Sequence, residues 1–446
     1  MRIIETLKNI WKIEDLRKRI LITMGYVAIY LFGTYVVIPG VDPKALTGLA
    51  SQTRGGLMAL LDMFSGGAFS NASIFALGIM PYISASIVMQ LVTILIPSFQ
   101  KMQREGESGR KKINQMTRYL TVIILFVQGF AYLTNLEYQM QGVGSSLPPG
   151  LWYRLSSIII MAGGSMFVLW LGERITDKGI GNGISFIIMI GIINRLPRSL
   201  VEEFTSRMSE QAGGLVMLLL EILIWVLIIA GAIALVQGQR KVPVQYAKRI
   251  VGNKQYGGAR QYIPLKVNAA NVMPIIFAQA IMMIPISIVG MSKQGNVGPF
   301  MQAFMSNTGF WYNFIFAVMI IAFTYFYTAI TINPTQMADD LKRNNGFIPG
   351  IKPGKATKEY LDTIMDRITL PGAFFLATIA ILPAFARMAG VSQGFSNFFG
   401  GTSLLILVGV ILDTLQQVES HLLMRHYDGL LKSGRIKGRT GSVAAY

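Results

Sequence analysis

Few residues in this sequence could carry catalytic or metal chemistry. There is no Cys, which excludes thiol chemistry and disulfides, and the only His residues are His421 and His426. A histidine-rich metal site is therefore not expected. The apolar stretches contain neither an HExxH motif nor a Gly-x-Ser-x-Gly motif with a histidine partner. We expect no enzymatic activity and no cofactor.

Two glycine-containing segments resemble phosphate-binding loops only superficially. GESGRKK at 106–112 lacks the spacing of GxxxxGK[ST] and has no preceding strand. KGIGNG at 178–183 contains GxG without the third glycine of a dinucleotide-binding loop. We interpret KGIGNG as a tight turn that opens a helix, and we predict no nucleotide site.

One carboxylate, Asp413, lies near the middle of a long apolar segment. A carboxylate at such a depth is a functional candidate by default. A proton relay would need similar groups at the same depth, whereas Glu173, Glu221, Arg387 and Glu419 lie nearer the ends of their segments. We favour a buried structural acceptor for Asp413, with a functional role as the alternative.

These residues must be positioned by apolar helices. Only 14% of the residues are charged and the mean hydropathy is +0.49, whereas a typical soluble domain has roughly 25% charged residues. A membrane-spanning helix needs about 20 apolar residues. The clear candidates are 20–38, 117–135, 153–171, 214–236, 268–290, 311–332, 369–386 and 403–422, with 75–96 and 183–197 less clean. We predict an all-α polytopic membrane protein with ten transmembrane helices.

The distribution of Lys and Arg predicts the orientation of the chain. Segment 237–267 is rich in Lys and Arg and has no acidic residue, so the positive-inside rule places it in the cytoplasm. This requires segment 183–197 to cross the membrane and puts both termini on the same side. The predicted cytoplasmic parts are an amphipathic helix at 1–19, then 97–116, 172–182, 237–267, 333–368 and the tail 423–446.

Three features depart from plain spanning helices. Segment 62–74 is rich in Gly and Ser yet leads directly into an apolar stretch, so it either lines an interior vestibule or forms an ordinary external loop. Pro81 and Pro274 interrupt the second and seventh spans alike, which indicates a functional seam, although proline also occurs in spans without such a role. The polar residues Gln90, Asn268 and Asn271 in these two spans could form hydrogen bonds across that seam or simply join helices.

Two connections are longer than topology requires. In 237–267 the alternating Val242, Val244 and Tyr246 precede the turn-like GNKQYGG, which predicts a projecting hairpin. In 333–368 the turn-rich NNGFIPGIKPGK precedes a helical pattern. Basic projecting loops suit acidic partners such as ribosomal RNA or an acidic protein surface; topology alone is the alternative reason for their charge.

The chain resembles the SecY family of protein-translocation channels in motifs that run along nearly its whole length. They are MFSGGAFSNASIFALGIMPYISASI at 63–87, GESGRKKINQMTRY at 106–119, WLGERITDKGIGNGIS at 170–185, PLKVN at 264–268, FIPGIKPGK at 347–355 and FGGTSLLI at 399–406. The resemblance implies two five-helix halves, 20–197 and 198–422, around a central hourglass pore.

The resemblance also implies roles for particular residues. The pore ring would be Ile79, Ile83, Ile184, Ile188, Ile276 and Ile406. The plug would lie at 62–74, with Asp62, Met63, Phe64, Ser65, Gly66, Gly67, Ser70 and Asn71. The lateral gate between the second and seventh spans would contain Pro81, Gln90, Asn268, Asn271 and Pro274. An isoleucine ring can seal around an extended polypeptide while resisting ion leakage.

The implied partners are those of a translocation channel. They are SecE-like and SecG-like small membrane subunits, the SecA ATPase, the ribosome, secretory precursors with their signal sequences, and anionic lipid. Docking would use Lys248, Arg249, Lys254, Lys352 and Lys355. Lys352 stands where the family usually has arginine in GIRPG, and lysine cannot make arginine's planar, two-pronged contacts. Asn253 stands where a basic residue is common.

The expected function is that of a passive channel in the bacterial cytoplasmic membrane. It would pass unfolded polypeptides across the membrane and release apolar segments sideways into lipid. The alternative is a small-solute secondary transporter, which broken helices and Asp413 would favour.

Overall fold

The protein is described by a computed structural model. The described residues are 11, 13–42, 62, 65–141, 148, 150–208, 214–246, 249–251, 254–256, 260–279, 281–282 and 309–432. Helices dominate. Those before the first sheet are α1 (Glu14–Gly33), α2 (Met80–Leu95), α3 (Pro97–Arg104), α4 (Glu107–Gln141), α5 (Leu151–Lys178), α6 (Gly183–Met208) and α7 (Gly214–Gln237). Those after it are α8 (Phe310–Thr331), α9 (Pro334–Arg343), α10 (Lys355–Met388), α11 (Gln393–Ser396) and α12 (Gly401–Lys432).

Within these residues, seven helices are long and apolar enough to cross a membrane, or eight if a bent pair counts as one span. The bent pair is α2 and α3, which meet at 104°. The break lies at Ile96, whose extended conformation precedes Pro97 at the first position of α3. The chain is a polytopic helical membrane protein, as predicted, and the count of ten spans stays a prediction.

The boundaries of several spans differ from those expected. α1 ends at Gly33, five residues before the expected end at 38, because the chain turns there and Val37 pairs with Ser73 in an isolated antiparallel bridge. The second span begins at Met80 and not at 75, since 65–79 form successive turns. In the seventh predicted span, residues 273–279 and 281–282 are helical, and 280 and 283–290 lie outside the described residues.

The short fifth segment is a full-length helix. α6 continues from Gly183 to Met208 past Pro197. Its last turns bury Ser199, Glu203 and Arg207 on one face, which a hydropathy window cannot recognise as helical packing. The helix is long enough to cross, as the charge argument required.

The segment 237–267 forms the predicted hairpin. Strands β1 (Gln239–Tyr246) and β4 (Arg260–Lys266) pair antiparallel from Gln239↔Lys266 to Gln245↔Arg260. Its tip carries β2 (Arg249–Val251) and β3 (Lys254–Tyr256), which pair with each other. Alternation places Val242 and Val244 on the buried face, each 1% exposed.

The second long loop joins the same sheet. β5 (Gly346–Phe347) pairs antiparallel with β1, which gives the strand order β4-β1-β5. We call this sheet, α9 and the first turns of α10 the loop platform. Its apolar core contains Val242, Val244, Leu265, Leu341, Ile348, Leu361 and Met365. The two long connections are therefore one packed unit.

Candidate functional site

Two apolar clusters in the helix bundle are formed by residues distant in sequence and share several of the side chains packed against them. Of the six predicted ring residues, Ile79, Ile188 and Ile406 are at most 8% exposed. Ile83 and Ile184 are half-buried and pack against two clusters at once, one around Ile188 and Ile406 and one around Ile79. The structure therefore brings these five isoleucines together.

Ile276 is the ring candidate whose position differs. It is half-buried in the helical stretch 273–279, and it belongs to neither of the two central clusters, although its neighbour Val272 packs against the cluster of Ile188. Its role in the ring stays a prediction.

The segment 62–74, which we call the plug segment, lies in the interior of the bundle. Of its described residues, Asp62, Ser65, Ala68, Ala72 and Ser73 are at most 3% exposed. Met63 and Phe64 lie outside the described residues. Polar, irregular backbone is thus placed within protein, as the vestibule hypothesis required and the external-loop alternative did not.

Two tyrosines hold the plug segment from α1 and α4. The Tyr30 hydroxyl donates to the Ser65 carbonyl at 3.1 Å, and the Tyr132 hydroxyl donates to the Phe69 carbonyl at 2.9 Å. Both tyrosines are at most 5% exposed. Each bond adds a second donor to a carbonyl that already accepts a turn N–H at 3.3 Å, from Ala68 and Ala72 respectively.

Backbone hydrogen bonds join the end of the plug segment to residues 36–38. Ile38 N–H donates to the Ala72 carbonyl and Ile74 N–H donates to the Val36 carbonyl, both at 2.9 Å. These bonds frame the Val37–Ser73 bridge. The plug segment is thus paired with the residues that follow α1.

The third set of contacts comes from α6. The Asn194 amide donates to the Gly66 carbonyl at 3.1 Å. Arg195 forms an ion pair with Asp62 and donates to Ser70 Oγ at 3.2 Å. In the sequence, Asn194 and Arg195 were interpreted only as the polar end of a short span. The helical periodicity that continues after them could have indicated that they lie within a longer helix.

Gly66 permits the plug segment to approach α6 closely. Its φ is +68°, and a Cβ on it would lie 3.1 Å from the Gly191 Cα. A side chain would be strained by the backbone conformation and would push against the α6 backbone.

The two prolines of the predicted gate begin helices rather than interrupt them. Pro81 is in the first turn of α2, which begins at Met80, and Pro274 is the second residue of the helical stretch from 273. Proline is favoured in a first turn because its missing N–H has no helical partner there. The expected interruption within each span is therefore wrong, although the prolines still occupy matching positions.

The hydrogen bonds expected across the gate are absent among the described residues. The Gln90 side-chain oxygen and the Asn268 side-chain oxygen are both buried without a partner. Asn271 is exposed, with φ of +51°, a left-handed conformation that Asn tolerates better than most residues. The seam instead contains apolar contacts, since Met80, Ile83 and Val272 pack against one cluster.

Two of the predicted docking residues, Lys352 and Lys355, lie on the surface beside the loop platform. Lys352 and Lys355 are exposed, and Lys355 is the first residue of α10, whose first turn contains no acidic residue. A cation at a helix N-terminus is unfavourable because it meets the positive end of the helix dipole. Arg249 and Lys254 lie in the strands of the hairpin tip, and Lys248 lies outside the described residues.

Asp413 is not buried. It is exposed on α12. Our expectation of a buried structural acceptor is therefore wrong. The carboxylate that favoured a transporter thus lies outside the apolar clusters that contain the predicted ring residues.

A buried ionic cluster ties the end of α6 to α7. Arg207 Nε donates to Glu203 at 3.0 Å, and Arg207 also pairs with Glu221; these side chains are 0% to 9% exposed. Arg207 further donates to the Gly390 carbonyl at 2.8 Å, and Ser392 N–H donates to Glu203 at 2.8 Å. We call the side chains of Glu203, Arg207 and Glu221 the ionic triad. It joins α6 and α7 to the loop between α10 and α11.

Comparison with known proteins identifies relatives over nearly the whole chain. A family model described as SecY matches residues 73–415. The chain is 41% identical over 433 residues to the protein translocase subunit SecY of Streptomyces scabiei, covering 95% of this chain and 98% of that protein.

Solved structures share the fold. One described as a protein conducting channel is 17% identical, with a TM-score of 0.64 and 95% of each chain covered. The channel of a canine ribosome–channel complex from the endoplasmic reticulum is 15% identical, with a TM-score of 0.60 and 95% of each chain covered.

Proposed function

This chain belongs to the SecY family, and from that premise we infer how its structure conducts polypeptide. It is the channel subunit of a protein translocase and not an enzyme. The observation that carries this conclusion is the 41% identity to a SecY translocase subunit over 95% of the chain. The small-solute transporter has no observation in its favour.

We propose that the central constriction is the pore ring. Five aliphatic side chains from α2, α6 and α12 meet there and carry no polar group. An apolar constriction excludes ions because water and ions enter it poorly, yet branched aliphatic side chains can shift to surround an extended chain. Ile276 would complete the ring from the seventh predicted span.

We propose that the plug segment closes this pore at rest. It is buried beside the constriction: a Cβ on Gly78, which precedes Ile79, would lie 3.6 Å from the Ser65 Cα. Hydrogen bonds and one ion pair hold the plug segment in place. Water can replace these polar interactions when the segment leaves, whereas it could not replace the contacts of an apolar segment.

We propose that the lateral gate is the seam between α2 and the helical residues 273–279 and 281–282. Met80, Ile83 and Val272 pack against one apolar cluster, and this packing would hold the seam closed. The unpartnered oxygens of Gln90 and Asn268 make the closed seam less stable than a wholly apolar one, because a buried acceptor without a donor costs about 1–3 kcal/mol. Such a seam can open for an apolar signal segment.

We propose that the loop platform is the docking surface for the ribosome or for the SecA ATPase. A relative in fold is the channel of a ribosome–channel complex. The basic residues Lys352 and Lys355 are exposed on a packed support, and Arg249 and Lys254 lie at the hairpin tip. The platform, both termini and the interfacial bend at α3 would lie on the cytoplasmic side of a bacterial inner membrane, where anionic lipid adjoins them. SecE-like and SecG-like subunits would pack on the outer, lipid-facing helices.

Reconstitution tests this function directly. Purified protein in vesicles with SecA, a SecE-like subunit and a secretory precursor should protect the precursor from protease, and protection should need ATP. Vesicles without this chain are the control. Protection that is equal in both preparations would contradict the proposed function.

A further inference from the structure

The ion pair between Asp62 and Arg195 joins the plug segment to the wall of the pore. Asp62 lies at the start of the plug segment with its side chain 5% exposed, and the Arg195 side chain on α6 is 31% exposed. Seven residues separate Arg195 from the ring candidate Ile188, which corresponds to about 10 Å along the helix. The pair therefore lies beside the constriction and not within it.

The contact is a small closed network. Asp62 Oδ2 pairs with Arg195 and Asp62 Oδ1 accepts the Ser70 N–H at 2.7 Å. Arg195 also donates to Ser70 Oγ at 3.2 Å, so it contacts both Asp62 and Ser70. Asn194 adds a bond to the Gly66 carbonyl, between these two residues in the sequence.

The two partners differ in burial, and this has a consequence for the closed state. Without Arg195, the Asp62 carboxylate would keep almost no access to water, and an uncompensated buried charge is strongly unfavourable. Without Asp62, the Arg195 guanidinium could still reach solvent. Closure should therefore depend more on Arg195 than on Asp62.

The pair also suits reversible closure. Burying both charges costs desolvation, which largely offsets their attraction, so an intact pair adds specificity more than strength. When the plug segment leaves, both groups regain water. The pair thus selects one seated position without making release prohibitive.

We propose that Arg195 and Asn194 are the residues that position the plug, with the Arg195–Asp62 pair acting as its latch. This inference rests on the proposed function, because it presupposes that segment 62–74 is the plug. Arg195 touches neither the polypeptide path nor a reacting group in this role; it determines whether the plug segment occupies its seat.

The absence of Cys in the chain allows a direct test of seating. A single cysteine is placed at Ala68, which is 0% exposed, in the full channel with its partner subunit in vesicles. Reaction with a membrane-impermeant maleimide then reports whether the plug segment is seated. Arg195→Gln should raise the reaction rate at least about tenfold, since the charge of Asp62 is left unpaired. Asp62→Asn should raise it less.

Arg118→Gln is the matched control. Arg118 on α4 pairs with Glu173 on α5 at 2.5 Å, and its side chain is 50% exposed. Its substitution should leave the maleimide reaction unchanged. The exchanged pair Asp62→Arg with Arg195→Asp should restore slow reaction, which a general loss of folding would not allow. Should Arg195→Gln fail to accumulate, the double variant Asp62→Asn with Arg195→Gln, which leaves no unpaired charge, replaces it and should also react faster than the wild type.

Ion conductance separates failure of the latch from failure of the proposed function. Deletion of 62–74 should leak in planar bilayers, and Arg195→Gln should leak less than the deletion but more than the wild type. A leaking deletion with a tight, slowly reacting Arg195→Gln would overturn the latch and leave the channel standing. A deletion that does not leak would contradict the plug role, and the latch with it.

Discussion

Gln245 of the first long loop and Phe347 of the second face each other across an antiparallel strand pair. The pairing holds 237–267 and 333–368 in one sheet, with β1 between β4 and β5. Pro243 in β1 has no N–H, and the sheet tolerates it because β5 pairs only with Gln245 and Tyr246. A partner that binds one of these loops therefore also acts on the other.

The first prediction concerns the surface of the loop platform. Lys352→Glu should block SecA-driven export by reversing the charge of a docking residue, while membrane insertion of the chain itself continues. Export of a secretory precursor in cells that depend on the variant measures this. Lys112→Glu, an equally exposed lysine near the start of α4, is the control; normal export with Lys352→Glu would remove Lys352 from the docking surface.

The second prediction concerns the core of the platform. Leu265→Ala should destabilise the sheet by about 2–5 kcal/mol, because Leu265 is 3% exposed and packs in the shared apolar core. Hydrogen exchange of the whole protein should speed up in β1 and β5 as well as in β4. Tyr262→Ala, 57% exposed on the same strand, should change exchange little. Faster exchange confined to the β4 strand would show that the two loops are energetically separate.

The third prediction concerns the constriction. Ile83→Asn should raise ion conductance during polypeptide passage several-fold, because a polar side chain allows water to enter the ring. Conductance with a trapped precursor measures this. Val88→Asn on the same helix is the control, since Val88 is 43% exposed and lies outside the two central clusters. Equal conductance in the two variants would argue against Ile83 as a ring residue.

The fourth prediction concerns the ionic triad. Arg207→Met should destabilise the protein by about 3–5 kcal/mol, because Glu203 and Glu221 would be left as uncompensated buried charges. Thermal unfolding in detergent measures this against Arg198→Gln, whose exposed pair should contribute less than about 1 kcal/mol.

A further variant distinguishes charge from packing in the triad. Replacing all three residues by Glu203→Gln, Arg207→Met and Glu221→Leu should be less damaging than Arg207→Met alone, since no buried charge is then left unpaired. If the triple variant were the less stable of the two, packing and not charge balance would explain the effect.

Much of the membrane architecture was predictable from local sequence. Apolar length identified α4, α5, α7, α8, α10 and α12, because a spanning helix satisfies its own backbone hydrogen bonds and needs only enough apolar residues. Charge distribution supported the crossing of α6 where hydropathy was ambiguous. Alternation and turn residues predicted the hairpin of β1 and β4, and the family resemblance supplied the residues that we propose for the ring and the plug.

Other features depended on contacts between distant residues. Bonds from Gln90, Asn268 and Asn271 across the gate were one of two possibilities, and none occurs among the described residues. Asp413 was expected to be buried and is exposed. The orientation of the helices relative to one another decides both outcomes, and the sequence of a single span contains little information about it. Similarly, Pro81 and Pro274 lie in the first turns of their helices, because the residues before them form turns where helix was expected.

The amino-acid sequence by itself determined that this chain is a helical membrane protein of the SecY family with two basic loops, because apolar length, turn chemistry and motif order are local properties. Only the tertiary structure decided that the two loops share one sheet and that Arg195 meets Asp62, 133 residues away. Such pairs form when packing brings buried groups within reach and removes their water, and no pattern of neighbouring residues records that event.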